Sequence, residues 1–232
     1  MLFFIHGGYW RALNKKDHAF IAPAFTPEGV CVVIPNYALA PALTVPDITM
    51  QMVKALAWSW RNIGKHGGDP SRITVAGHSA GGHLAAMMLS CVWPAYHDDL
   101  PRDLVKNALS ISGLHDLAPI MHTPFLQGDL RLTQQQVLQA SPALLPPPSQ
   151  GTLAAVAGGE ESPEFHRQVQ LIRDGWGAAA VTVAEVLPRD RKINPTLPAR
   201  RLTAMLLPQV WQAWPSRHNA AYVISRAVLW RK

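Results

Sequence analysis

At 232 residues, with 48% hydrophobic and 16% charged side chains, the chain has the apolar content of one globular α/β-sized domain, and no run reaches the roughly eighteen apolar residues of a membrane span. Its net charge of +6 belongs to the end of the chain: residues 187–232 hold 9 Lys and Arg against 1 Asp, whereas residues 1–186 hold 12 basic against 14 acidic side chains. The chain holds no RNA-binding or DNA-binding motif with aromatic interleaving, so nucleic acid is not the expected partner despite the basic tail.

The run Met1–Ile5 is too short for a signal peptide and lacks its basic flank, so the expected compartment is cytoplasmic. Cys31 and Cys91 sit in apolar runs without metal-ligand spacing and read as buried thiols.

Leu2–Ile5 predicts a strand running into His6-Gly7-Gly8-Tyr9-Trp10. Two glycines after a strand leave backbone N–H groups unshielded by side chains, as an oxyanion hole requires; Gly7 and Gly8 are the candidates. The plainer reading is a turn followed by a buried aromatic pair. Asp17–Phe25 suggests a short helix, and the apolar run Val30–Ile34 a strand buried on both faces, as in a parallel sheet. From Asp47 to Ile63 apolar residues recur at helical spacing, and Gly64, Gly67 and Gly68 stop the helix.

The most informative stretch is Ile73–His83. A β-branched run enters Gly77-His78-Ser79-Ala80-Gly81, and a helix-prone run leaves it. This spacing puts Ser79 on a sharp strand-to-helix turn, with its hydroxyl held out and the Ala80 N–H facing the same point. Beyond it, Ala108–Ile111 predicts a strand into Ser112-Gly113-Leu114-His115-Asp116, and the proline-rich segment 119–148 reads as a cap of loops and short helices. Leu153–Ala157 predicts a strand ending at Gly158-Gly159-Glu160-Glu161. Ser162 would N-cap a helix with Pro163 at its first position, whose Phe165, Val169, Ile172 and Trp176 form a core face. Val181–Leu187 is the last predicted strand. A serine hydrolase needs an acid and then a histidine after later strands, and both Glu160 and Glu161 stand where the acid belongs.

Four motifs together resemble the kynurenine formamidase (arylformamidase) branch of the α/β-hydrolases: His6-Gly7-Gly8-Tyr9-Trp10-Arg11, Gly77 to His83, Ser112 to Leu117, and Glu161-Ser162-Pro163-Glu164-Phe165-His166-Arg167-Gln168. The resemblance covers Leu2 to about Leu187. It implies an α/β-hydrolase fold with a mostly parallel sheet and helices on both faces, in a single domain over 1–232 with a cap-like 119–148 and an atypical basic tail at 188–232. It also implies Ser79 as nucleophile, Glu161 as the acid, an oxyanion hole from Gly7, Gly8 and Ala80, and a substrate pocket with Tyr9 and Trp10. The implied reaction is hydrolysis of N-formylkynurenine to kynurenine and formate, without metal or organic cofactor. The partner is then a small-molecule formamide or ester, with neither membrane nor nucleic acid involved and a homodimer allowed.

Two departures accompany it. The family has strands before the His-Gly-Gly element, so this sequence is expected to show a sheet without those N-terminal strands. The family's closing His-Phe pair is also absent, since Leu187 to Pro195 holds no histidine. After Glu161 only His166 and His218 remain. The resemblance puts His166 on a helix face without catalytic duty and leaves His218 as candidate base. His6, His78 and His83 flank the glycines and are expected to hydrogen-bond loop backbone. A broad carboxylesterase on the same site, and a catalytically impaired remnant that only binds ligands, are the alternatives.

Overall fold

The computed structural model describes residues 1–187. Six strands, β1 (Leu2–Ile5), β2 (Val32–Val33), β3 (Thr74–His78), β4 (Asn107–Ile111), β5 (Thr152–Gly158) and β6 (Val181–Leu187), form one sheet in the order β2-β1-β3-β4-β5-β6. Every neighbouring pair is parallel. Parallel strands are shielded on both faces, which is why their sequences run apolar without alternation. The order reverses between β1 and β3, so the loops leaving these two strands diverge and open a crevice at their carboxyl ends.

The helices are α1 (Ala22–Phe25), α2 (Val45–Asn62), α3 (Ala80–Ser90), α4 (Trp93–Tyr96), α5 (Ala118–Met121), α6 (Pro124–Leu130), α7 (Gln134–Ala140) and α8 (Pro163–Ala180). One face of the sheet packs Phe3, Ile5, Val75 and Ala155 against α2, α3 and α8. The other packs Leu2, Phe4, Ala76 and Leu109 against Ile21, Ala22 and Phe25. Among the described residues no helix is long and apolar enough to cross a membrane.

Local chemistry moves several boundaries. Thr44 and Asp47 form a capping box, so α2 begins two residues before Asp47, with Pro46 in its first turn. Asn14 and Asp17 form another over a 3-10 turn, Lys15–Ile21, and only Ala22–Phe25 of the expected helix is α-helical. Of the run Val30–Ile34 just Val32 and Val33 enter the ladder, because β2 is an edge strand paired with β1 alone. Ser162 precedes α8 in extended conformation but makes no side-chain capping bond, and α8 is broken at Gly177. Val169, Ile172 and Trp176 are buried as expected, while Phe165 is half-buried. Cys31 and Cys91 are free but half-buried rather than fully enclosed.

Candidate active site

Ser79 ends β3 and opens α3 with φ 57° and ψ −119°, a combination that L residues rarely adopt. The flanking glycines explain how this turn is reached. A Cβ on Gly77 would land on the Gly81 carbonyl, and a Cβ on Gly81 would land on the Ile5 carbonyl, so α3 can lie against β3 and β1 only with bare backbone at both places. The Ser79 N–H donates to Ile111 O at 2.8 Å, and its carbonyl accepts from His83 N at 3.1 Å. Ser79 is 8% exposed.

The loop after β1 lies against this elbow. A Cβ on Gly7 would stand 2.8 Å from His78 O and 3.2 Å from Ser79 Cβ. Gly8, at φ 104°, turns the chain so that its carbonyl accepts from Arg11 N and Ala12 N, both at 3.0 Å. The N–H groups of Gly7, Gly8 and Ala80 meet no loop carbonyl among the described residues. His6 stacks on Tyr37 with ring centroids 4.1 Å apart, and the Tyr37 hydroxyl donates to His6 O (3.0 Å) and Gly7 O (3.2 Å). Tyr37 therefore fixes the loop from beneath.

Tyr9 is half-buried and meets the Phe125 ring edge-on at 6.0 Å. Trp10 departs from the expected pocket role. Its side chain has no solvent exposure and packs edge-on against His83 at 5.0 Å, so it is a core residue behind the site. Tyr9 and Trp10 both have positive φ, 48° and 57°.

Glu161 leaves the loop after β5. Both its carboxylate oxygens lie 2.8 Å from Ser112 Oγ, which donates to them, and Oε2 accepts from Gly158 N at 3.0 Å. Ser112 follows β4, the strand beside β3, and its own N–H donates to Val156 O at 2.7 Å. The candidate nucleophile and acid thus follow β3 and β5, two strands of one sheet separated by β4, whose following residue Ser112 holds the acid.

The rest of the Glu161–Gln168 motif fastens α8 onto the Ser112–Asp116 turn. Gln168, fully buried, accepts from His115 N (2.6 Å) and Asp116 N (2.8 Å) through Oε1, and its amide donates to Asp116 O and to Glu164. Arg167 bridges Glu164 at 2.8 Å and Asp116 at 3.3 Å. Asp116 is thereby committed to Arg167 and to Ala118 N. His166, on α8, donates from Nε2 to Gly158 O at 2.9 Å and so ties its helix to the loop that carries Glu161. Ser112 and Gln168 went unassigned in the sequence, although both lie inside its motifs.

Two of the other histidines near the site are tied elsewhere. His6 Nδ1 lies 2.8 Å from Gly7 O, and His83 Nε2 donates to Ala140 O at 2.6 Å, as expected of rings that shape loops. Burial lowers His6, His78 and His83 from 6.5 to about 4, and His115 to about 3. Rings held neutral this strongly are poor proton acceptors at neutral pH. His218, and the run 188–195 where the family's His-Phe pair would fall, lie outside the described residues. Among the described residues no three His, Cys, Asp or Glu side chains are grouped to hold a metal ion.

Comparison with known proteins places the fold. A family model described as the alpha/beta hydrolase fold matches residues 2–153. Kynurenine formamidase of Salmo salar is 32% identical over 173 residues, covering 72% of this chain and 56% of that protein. Kynurenine formamidase of Danio rerio is 31% identical over 189 residues, 79% of this chain and 62% of that protein. The chain therefore spans less than two thirds of the length of these curated relatives. An esterase structure from Pyrobaculum calidifontis superposes with a TM-score of 0.73 at 20% identity, covering 91% of this chain and 76% of that one, a likeness of fold. The matched residues take in β1 through the start of β5, with both the Gly7-Gly8 loop and the Ser79 elbow, and by that match the chain belongs to the alpha/beta hydrolase family.

Proposed function

We propose that this chain is a serine hydrolase of small formamide or ester substrates, with N-formylkynurenine, hydrolysed to kynurenine and formate, as the preferred one. The observation that carries the reading is the Ser79 elbow packed against Gly7, with Glu161 held by Ser112 at the end of the adjoining strand. Ser79 Oγ attacks the carbonyl carbon, and the developing oxyanion is received by the N–H groups of Gly7, Gly8 and Ala80 at the start of α3. Glu161 orients the base that takes the Ser79 proton and returns it to the leaving amine. His218 is the histidine proposed for that base, since His166 is spent on Gly158 O. Tyr9 and the 119–148 segment border the entrance. The identity to two kynurenine formamidases supports the formamide over a general ester.

A second reading, a hydrolase fold that binds substrate with little turnover, is favoured by the absence of any histidine from Leu187 to Pro195. Loss of the base lowers kcat about 10⁶-fold in such enzymes. Measuring kcat/KM on N-formylkynurenine and on a p-nitrophenyl ester separates the readings. The first expects at least about 10⁴ M⁻¹s⁻¹ on the formamide, loss of it in Ser79→Ala and in His218→Ala, and no organophosphate labelling of Ser79→Ala. Labelling that survives Ser79→Ala would remove the nucleophile assignment.

A further inference from the structure

Ser112 combines three properties that a linker residue at the end of a strand does not need. Its backbone is left-handed at φ 49°, its side chain is 1% exposed, and its single hydroxyl faces both oxygens of Glu161 at 2.8 Å. A non-glycine residue with positive φ persists where its surroundings over-determine it. Here the fastening is visible on both sides. The Ser112 N–H is anchored on Val156 O, and three and four residues later Gln168 grips the N–H groups of His115 and Asp116. Glycine would adopt this backbone with less strain, so the side chain at position 112 has a use that the backbone alone does not explain.

We propose that Ser112 is a positioning residue for Glu161, and that the Gln168 clamp holds Ser112 in the left-handed conformation from which its hydroxyl reaches the carboxylate. This rests on the assignment of Glu161 as the acid. A free glutamate on the loop between Gly158 and Ser162 has three rotatable bonds and many orientations. Two donors, Ser112 Oγ and Gly158 N, select one of them and leave the outer lone pairs of the carboxylate for the base. Because the donor sits on the β4 turn, the acid is registered against the strand next to the nucleophile's own, and not merely against its parent loop.

The test compares wild type with Ser112→Ala, Ser112→Gly and Glu161→Gln in the full chain, by the pH dependence of the second-order rate of organophosphate labelling of Ser79, by KM and kcat on N-formylkynurenine, and by a crystal structure of Ser112→Gly. Both Ser112 variants should label about 10- to 100-fold more slowly, the worth of one hydrogen bond to a charged group. Their KM should be unchanged and the acid limb of the pH profile displaced. Ser112→Gly, relieved of backbone strain, should melt above Ser112→Ala while losing the same rate, which a purely structural role would not produce. In its crystal structure the Glu161 carboxylate should leave its wild-type position. Wild-type labelling rates in both Ser112 variants alongside an impaired Glu161→Gln would overturn the proposal and leave the acid assignment standing, as would an unmoved carboxylate. A Glu161→Gln that labels like wild type would instead remove the acid assignment, and the proposal with it.

Discussion

Around Ser79 the backbone is fixed by what is left out: Gly77, Gly81 and Gly7 let β1, β3 and α3 meet at distances no side chain would permit. Around Glu161 it is fixed by what is put in, since Ser112, Asp116, Arg167 and Gln168 tie α8 to the turn after β4 through hydrogen bonds. The two halves of the site therefore fail differently. Contact between bare backbones is intolerant of a single methyl group, while a polar clamp can lose a partner and pay only for the groups left unsatisfied.

A large single-residue effect follows from the first kind of contact. Gly81→Ala places its methyl on the Ile5 carbonyl, backbone that cannot move without shifting β1, so a destabilisation of about 3 kcal/mol or more is expected. Urea unfolding measures it. A loss below about 1 kcal/mol would show that α3 can slide away from the sheet, and the contrast between the two halves would collapse.

Acid should act on both halves at once, because each encloses a neutral histidine: His83 on α3 and His115 in the clamp. Burial lowers His83 from 6.5 to about 4 and His115 to about 3. As pH falls through 6.5 the unfolded chain takes up protons that the folded chain refuses, so stability declines from there down to about pH 4 and, for His115, about pH 3. Above 6.5 both states are neutral and the effect vanishes. The full loss is about 3 kcal/mol for His83 and somewhat more for His115. Urea midpoints that stay flat between pH 6.5 and 4.5 would mean that these rings are protonated inside the fold.

Gln168→Met tests the clamp alone. It keeps the volume but removes the acceptor shared by His115 N and Asp116 N, and about 2 kcal/mol should be lost. Less than about 0.5 kcal/mol would mean that water replaces the amide. Labelling of Ser79 should slow as well, since Ser112 loses part of its support.

The elbow half was readable in the sequence because its logic is local: glycines two residues either side of a serine, between an apolar run and a helical one. The strands were readable for a similar reason, and Val181–Leu187 falls where the apolar run predicts it. The clamp was not, although its halves stood out as motifs, because Ser112 meets Glu161 across 49 positions and Asp116 meets Gln168 across 52. Nothing in the spacing of either segment says which hydroxyl meets which carboxylate. Trp10 misled for a related reason. An aromatic residue after an oxyanion-type loop suits a pocket wall, whereas the structure buries Trp10 against His83 after two residues with positive φ.

The smallest effect concerns a third attachment, between α6 and the loop after Gly8. Arg11 pairs with Asp129, donates to Phe125 O at 3.3 Å and lies over the Phe125 ring at 5.6 Å, while Tyr9 meets that ring edge-on. The Arg11 and Asp129 side chains are 33% and 37% exposed, so water and salt screen the pair. A double-mutant cycle of Arg11→Met and Asp129→Asn should give a coupling of about 0.5 kcal/mol that shrinks further in high salt. On that outcome α6 rests on the loop through contacts weak enough to yield, in contrast to α8. A coupling above about 2 kcal/mol, insensitive to salt, would show α6 fastened as firmly as α8, and the proposed entrance past Tyr9 would then have to be a rigid one.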